Sequence, residues 1–205
     1  HYKNPYFDPS KPHHRKRGFE NLSPTPMLKG SDLWRWYFNN RKKGLPKPPQ
    51  KGYPAFQQEW VITPDFVHSH EEIQKANLDK TGENPQDKIW WLFHSSILYR
   101  LGGEYYLTDP VFSQRCSPFQ FLGPKRKTTP HFSLEDLPPI RAILISHNHY
   151  DHLDKKSIQW FIQHRPETQF ILPLGLKRWF KKLGARKIIE LDWWEEYTPA
   201  KELKI

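Results

Sequence analysis

Ile140-Arg141-Ala142-Ile143-Leu144-Ile145-Ser146-His147-Asn148-His149-Tyr150-Asp151-His152-Leu153-Asp154 decides how this chain folds. The first six residues are apolar except for Arg141, the composition of a strand covered on both faces. The polar remainder closes on Asp154, a helix cap, ahead of a helix expected over 155–164. The order then repeats, with a strand at 169–172, a helix over 174–183 stopped by Gly184, and a strand at 187–191. Upstream, 88–93 and 96–101 are β-type runs, and Gly102-Gly103 supplies a two-residue turn into a partner strand at 104–108. A hairpin with a strand ahead of it, followed by β-α-β-α-β, predicts a mixed sheet with helices on a face, an α/β layered architecture. Residues 109–139 show no clean period and many turn formers, so a long surface excursion is expected there. Lys201-Glu202-Leu203-Lys204-Ile205 reads as a further strand.

Outward from this block the composition changes. The 205 residues carry a formal charge of +10, and residues 1–54 hold twelve Lys and Arg against Asp8, Glu20 and Asp32, a net +9. The same segment has nine of the 20 prolines, each removing a backbone donor and disfavouring helix before it. Residues 1–54 therefore read as a basic, Pro-rich extended arm with one short helix in the window 31–43, capped at Ser31-Asp32; 55–87 is a connecting segment, and 88–205 the folded part. The rings of Leu33-Trp34-Arg35-Trp36-Tyr37-Phe38 are too many for a solvated linker. The plainer reading has the arm wrap over the domain and bury them. The sharper one lays the rings, His13-His14-Arg15-Lys16-Arg17 and Arg41-Lys42-Lys43 on an anionic phospholipid surface. Nucleic acid ranks below lipid as a partner, although charge alone does not separate the two. The single cysteine, Cys116, excludes a disulfide scaffold. No stretch approaches the roughly 18–20 apolar residues of a membrane span, and no apolar signal core follows the start, so a peripheral membrane or cytoplasmic location is expected.

Four metal-ligand types fall within six residues directly after a buried-type strand. In His147-Asn148-His149 alternate side chains point the same way, so both imidazoles can meet one ion. Asp151 and His152, from the following turn, can aim at a second position a few ångströms away, the arrangement of two-metal hydrolysis. Imidazole with carboxylate suits Zn²⁺, with Fe or Mn left open. Lone histidines are ordinarily surface residues, and His1, His13, His14, His68, His70, His131 and His164 take that reading.

His147, His149, Asp151 and His152 reproduce His-x-His-x-Asp-His, and here the chain resembles the metallo-β-lactamase superfamily. More narrowly, Trp91-Leu92-Phe93-His94-Ser95, Thr108-Asp109-Pro110-Val111-Phe112, Ser117-Pro118-Phe119, Leu122-Gly123-Pro124 and residues 146–154 resemble the branch containing N-acyl-phosphatidylethanolamine-hydrolysing phospholipase D, as does the Pro-rich arm. Phe93 departs from that branch, which has glycine before the position of His94. The resemblance implies an αββα sandwich, of which 88–205 is the N-terminal half. It implies that His147 and His149 bind one ion and Asp151 and His152 the other. Asp109, at a strand end, would hold the ligand loop by hydrogen bonds without touching metal. Asp151 would also act as catalytic base, guiding the water that attacks a lipid phosphodiester. Later ligands would come from a C-terminal half or a second chain, a homo-oligomer included. Other superfamily substrates (RNA, lactone, thioester) and a non-catalytic scaffold are the rival readings.

Three lesser features take bland readings. Lys177, Arg178, Lys181, Lys182, Arg186 and Lys187 form a solvated helix face, with a phosphate-facing patch as the alternative. Trp193-Trp194 packs at a strand exit, and Cys116 is a buried bystander.

Overall fold

The computed structural model describes residues 3–23, 30–43, 50, 71–73, 86–126, 132–198 and 203–205. They fall in two compact units, residues 1–64 and residues 65–205. The connecting segment expected at 55–87 lies outside the described residues apart from 71–73 and 86–87, as do His1, His68, His70 and His131.

The first unit contains a small ladder that its proline content conceals. β1 (His14–Arg15) and β2 (Gly18–Phe19) pair antiparallel, with His14 opposite Phe19 and Arg15 opposite Gly18. Asn4 pins this hairpin. Its side-chain amide donates to the carbonyls of Arg15 (3.2 Å) and Gly18 (2.8 Å), and its backbone N–H to Lys16 O (2.9 Å). His14 Nδ1 accepts the Asp8 N–H at 3.0 Å, and its ring stands edge-on to Phe19. His13 and His14 are thus not the surface residues expected, because both are buried. α1 (Gly30–Lys43) begins one residue before its expected window, which puts Ser31 and Asp32 inside the first turn and not at the cap. Trp34, Trp36 and Phe38 are exposed.

The second unit is built on one six-stranded sheet in chain order: β3 (Lys88–Phe93), β4 (Ser96–Leu101), β5 (Glu104–Thr108), β6 (Ile140–Leu144), β7 (Gln169–Pro173) and β8 (Ile188–Leu191). The first two pairings are antiparallel and the last three parallel. Two helices, α2 (Lys155–His164) and α3 (Lys177–Leu183), make the crossovers after β6 and β7. Right-handed crossovers that step in one direction put their helices on one face. The core agrees, since Ile158 and Phe161 of α2 and Phe180 of α3, all 0% exposed, join Leu98, Leu107, Ile143, Phe170 and Leu172 in a single cluster.

The other face of the same strands gathers Tyr106, Ala142 and Ile171, with Tyr99, Leu101, Leu144 and Leu191 around them. Tyr197, Leu203 and Ile205 pack there, and Tyr197 and Ile205 exchange backbone hydrogen bonds at 2.7 and 2.8 Å. Of the strand expected at 201–205, residues 201 and 202 lie outside the described residues.

α3 starts at Lys177, three residues later than expected. Gly175 sits at φ 97°, outside the helical region, and Glu190 of β8 accepts the Gly175 and Lys177 N–H groups at 2.8 and 2.7 Å. Gly184 ends the helix in the left-handed conformation, φ 99°. Arg178, Lys181 and Lys182 are exposed, as a solvated helix face requires. At the strand exit Trp194 is 85% exposed and so is not packed there as expected, while Trp193 is 46% exposed.

Residues 109–139 are more than a surface excursion. Val111, Phe132 and Leu137 are buried, and Phe132 and Leu137 belong to the helix-side core. Cys116 is half-buried.

Candidate metal centre

β5 and β6 run parallel and side by side, so their carboxyl ends open at the same edge, where ligand sites of open α/β sheets are built. From β6 the chain continues through Ile145, whose N–H still reaches Ile171 O (3.0 Å), and then leaves the sheet at Ser146. It folds back at once. The N–H groups of His152 and Leu153 both donate to His149 O, at 3.0 and 2.7 Å, while Leu153 is buried. Asp154 then caps α2, accepting the Lys156 N–H at 3.2 Å. Eight residues of tight loop, 146–153, between a buried strand and a capped helix leave the polar side chains nowhere to go but outward, together.

The rings meet in a chain. His147 lies 4.5 Å from His149 and 4.0 Å from His152, centroid to centroid, and His152 lies 5.4 Å from His94. Single donor atoms of His94, Asp151 and His152 fall within 4.8 Å of one another. His94 Nε2 is 3.3 Å and His152 Nε2 3.7 Å from Asp151 Oδ2. Two imidazoles and a carboxylate at this spacing, with two further imidazoles beside them, form a donor set that fits a divalent cation of the Zn²⁺ or Fe type.

His94 was not among the site residues the sequence suggested. It occupies the tight turn between β3 and β4, and only the pairing of β4 with β5 and of β5 with β6 brings it to Asp151, 57 positions away. Its signal was a histidine in a two-residue turn between strands, a slot that favours Gly or Asn. The backbone there is at φ 46°, a left-handed conformation that costs a non-glycine residue on the order of 1 kcal/mol. Phe93 before it is buried, edge-on to Phe112 at 4.9 Å and beneath the Arg126 guanidinium at 4.3 Å, so the departure from glycine fills space under the 109–126 segment.

Asp109 stands behind the cluster. It is buried, at φ 38°, and its N–H donates to Leu144 O at 3.0 Å, fixing the end of β5 to the end of β6. Oδ1 accepts the Ser146 N–H (2.8 Å), and Oδ2 accepts the Ser146 hydroxyl (2.6 Å) and lies 2.8 Å from His152 Nδ1. With Nδ1–H of His152 given to this carboxylate, Nε2 is left as the lone pair facing Asp151. Ser96 Oγ donates to Asp109 O (2.6 Å), so β4 is tied in as well.

Burial, with His152 and His149 beside it, holds the His147 imidazole below its ordinary basicity. Desolvation opposes ionisation of Asp151, but the backbone hydrogen bond, His152 and His94 outweigh it and keep the carboxyl below its usual range. A neutral imidazole and an ionised carboxylate are the forms that ligate metal.

Residues 104–205 match the profile of the beta-lactamase superfamily domain. A Caenorhabditis elegans N-acyl-phosphatidylethanolamine-hydrolyzing phospholipase D 1 is 40% identical over 110 residues, 51% of this chain and 31% of the relative. The mitochondrial N-acyl-phosphatidylethanolamine-hydrolyzing phospholipase D of Saccharomyces cerevisiae is 35% identical over 115 residues, 56% of this chain and 24% of the relative. The matched segment thus spans less than a third of these curated relatives. Among solved structures, the diiron beta-hydroxylase CmlA of Streptomyces venezuelae aligns with a TM-score of 0.43 and 27% identity, covering 57% of this chain and 22% of that one. By its residues 104–205 the chain belongs to the metallo-β-lactamase superfamily, and within it resembles the N-acyl-phosphatidylethanolamine-hydrolysing phospholipases D.

Proposed function

We propose that this chain provides the first ligand loop of a metal-dependent hydrolase that cleaves a lipid phosphodiester in the manner of a phospholipase D, acting on N-acyl-phosphatidylethanolamine-type headgroups. The observation that carries this reading is the convergence of His94, Asp151 and His152 within 4.8 Å, with His147 and His149 adjoining. Divalent cations, when bound, supply Lewis acidity toward a phosphoryl oxygen and lower the pKa of water at neutral pH.

The protein's own groups do the rest. Asp109 fixes the ring plane and tautomer of His152. Asp151, held ionised, can ligate and also accept a proton from the attacking water. His94 Nε2, 3.3 Å from Asp151 Oδ2, orients that carboxylate. The basic arm, at net +9, would favour an anionic phospholipid surface, at about 1 kcal/mol per cation near it. The relatives' names, covering about half of this chain, support the substrate class.

Metal analysis and lipid hydrolysis on protein of native length test the reading together. His152→Ala and Asp151→Asn should each lower bound Zn or Fe, and release of phosphatidic acid from N-acyl-phosphatidylethanolamine vesicles should fall by about 10²-fold or more. Asp109→Asn, which cannot hold His152 in the same way, should weaken metal affinity about 10- to 100-fold with the fold intact. Unchanged metal content in the Asp151 and His152 variants would remove the site. A metal-loaded protein that hydrolyses a lactone or RNA and leaves the lipid untouched would remove the substrate.

A further inference from the structure

Beside the ligand loop stands a second built feature, the segment 111–126. Its stem is a narrow two-stranded turn: Arg115 bridges Lys125, the Cys116 N–H donates to Pro124 O (3.2 Å), and the Arg126 N–H to Gln114 O (2.7 Å). The base is fastened twice. Ser113 donates its N–H and hydroxyl to Asp154, both at 2.9 Å, and the Arg126 guanidinium donates to Val111 O and Ser113 O.

At the tip the polar groups are satisfied inward. The Gln120 side chain accepts the Arg115 N–H (3.2 Å) and donates to Arg115 O (3.0 Å), and the Arg115 guanidinium donates to Gly123 O. Gly123 is at φ 100°, and a Cβ there would stand 2.8 Å from Ser117 Cβ, so this closure requires glycine.

What such a fastened tip turns outward is apolar. Phe119, Phe121 and Leu122 are 56%, 82% and 63% exposed, and the two phenyl rings lie 5.6 Å apart as one patch. Single exposed apolar residues are ordinary, but a contiguous patch on a rigid loop is not. A groove of about 600 Å³ links the tip to the ligand loop and to the start of α2, with Phe119, Asn148, Tyr150, Lys155, Lys156 and Trp179 among its walls. The surroundings are cationic: Lys155 and Lys156 on the groove and Lys125 on the stem are exposed, and 111–127 contains no Asp or Glu against Arg115, Lys125, Arg126 and Lys127.

We propose that the 117–123 tip is a membrane anchor, with Phe119, Phe121 and Leu122 entering the acyl boundary of an anionic phospholipid surface while Lys125, Lys155 and Lys156 meet its headgroups. Apolar side chains ringed by cations are the chemistry of interfacial binding. The patch favours lipid over protein on area too. Three such side chains offer about 400 Å², half of what each partner surrenders in a standard protein interface. Anchoring here would set His147, His149 and Asp151 at headgroup level. The inference concerns binding, and stands or falls apart from the hydrolase reading.

Because the arm is basic as well, the test must be local. In a background with Cys116 and any other native cysteine replaced by Ser, Phe121→Cys carries a nitroxide, and protein of native length is mixed with phosphatidylcholine vesicles with and without about 30% phosphatidylserine. The label at 121 should become shielded from a neutral aqueous nickel chelate and reachable by oxygen on the anionic vesicles. A label at Glu167→Cys, beyond the far end of α2, should stay in water. F119S/F121S/L122S, altered only at exposed positions and melting like the parent, should partition about tenfold or more weakly. An aqueous label at 121, whether the protein binds vesicles or not, overturns the proposal. So does undiminished binding of the triple variant, or self-association that the triple variant abolishes, which would assign the patch to a second copy.

Discussion

The two faces of the six-stranded sheet obey the same alternation and end differently. On the helix side, Leu98, Leu107 and Ile143 are wholly buried against Ile158, Phe161 and Phe180. On the opposite side the partners of the same registers, Ile89 with Tyr99 and Trp91 with Ile97, run outward, and Ile89 and Trp91 remain 67% and 59% exposed. Side-chain period fixes which residues share a face, while the covering of a face depends on what the chain sends across it. Here β-α-β-α-β sends two helices to one side, and to the other, among the described residues, Tyr197, Leu203 and Ile205.

The sharpest way to break this contrast is to cut into the helix side. Phe161→Ala removes a ring with 0% exposure and should cost about 3–5 kcal/mol by chemical denaturation; a loss below about 1 kcal/mol would mean that this core is not closed. Asp154→Ala comes next. It deletes the cap of α2 and the acceptor for Ser113 and Ser157, so about 1–3 kcal/mol should go, with faster proteolysis within 111–126 than elsewhere.

A smaller effect probes the inner part of the opposite face. Burial, helped by the hydrogen bond and charge of Glu104, pushes the Tyr106 hydroxyl up to about 12 from its ordinary 10. The folded state therefore holds this proton more tightly than the unfolded one, so its contribution to stability is present below pH 10 and is lost as the pH rises toward 12. Absorbance titration at high pH should show one tyrosine ionising late, and Tyr106→Phe should remove that step. The smallest change expected is Trp91→Ala, within about 1 kcal/mol for a mostly exposed ring. A cost comparable to that of Phe161→Ala would show that the opposite face is covered in solution after all.

Local rules carried the sheet. Strands 88–93, 96–101 and 104–108 were legible from alternation and the Gly102-Gly103 turn, and α2 from Asp154, to the residue. The clustering of His147, His149, Asp151 and His152 was legible because they are adjacent in sequence and adjacency survives folding. Interactions made at long range were not. His94 reaches the cluster only through strand order, and the burial of Phe132 and Leu137 follows from packing that no period announces. The β1–β2 hairpin was hidden because an asparagine ten residues upstream, and not a strand propensity, holds it. α3 began late because a carboxylate from the next strand, Glu190, fixes where its first turn opens.

Asp109 and the loop it holds are separated by 37 positions at Ser146 and 43 at His152. A chain emerging from the ribosome carries His147, His149, Asp151 and His152 as a loose cluster from the moment they appear, since they need no distant partner to be neighbours. Their orientation by Asp109 arises later, once the crossover has closed and β5 lies beside β6, a slow, non-local step. Nearness of these side chains is thus set by the sequence, and their orientation by the sheet.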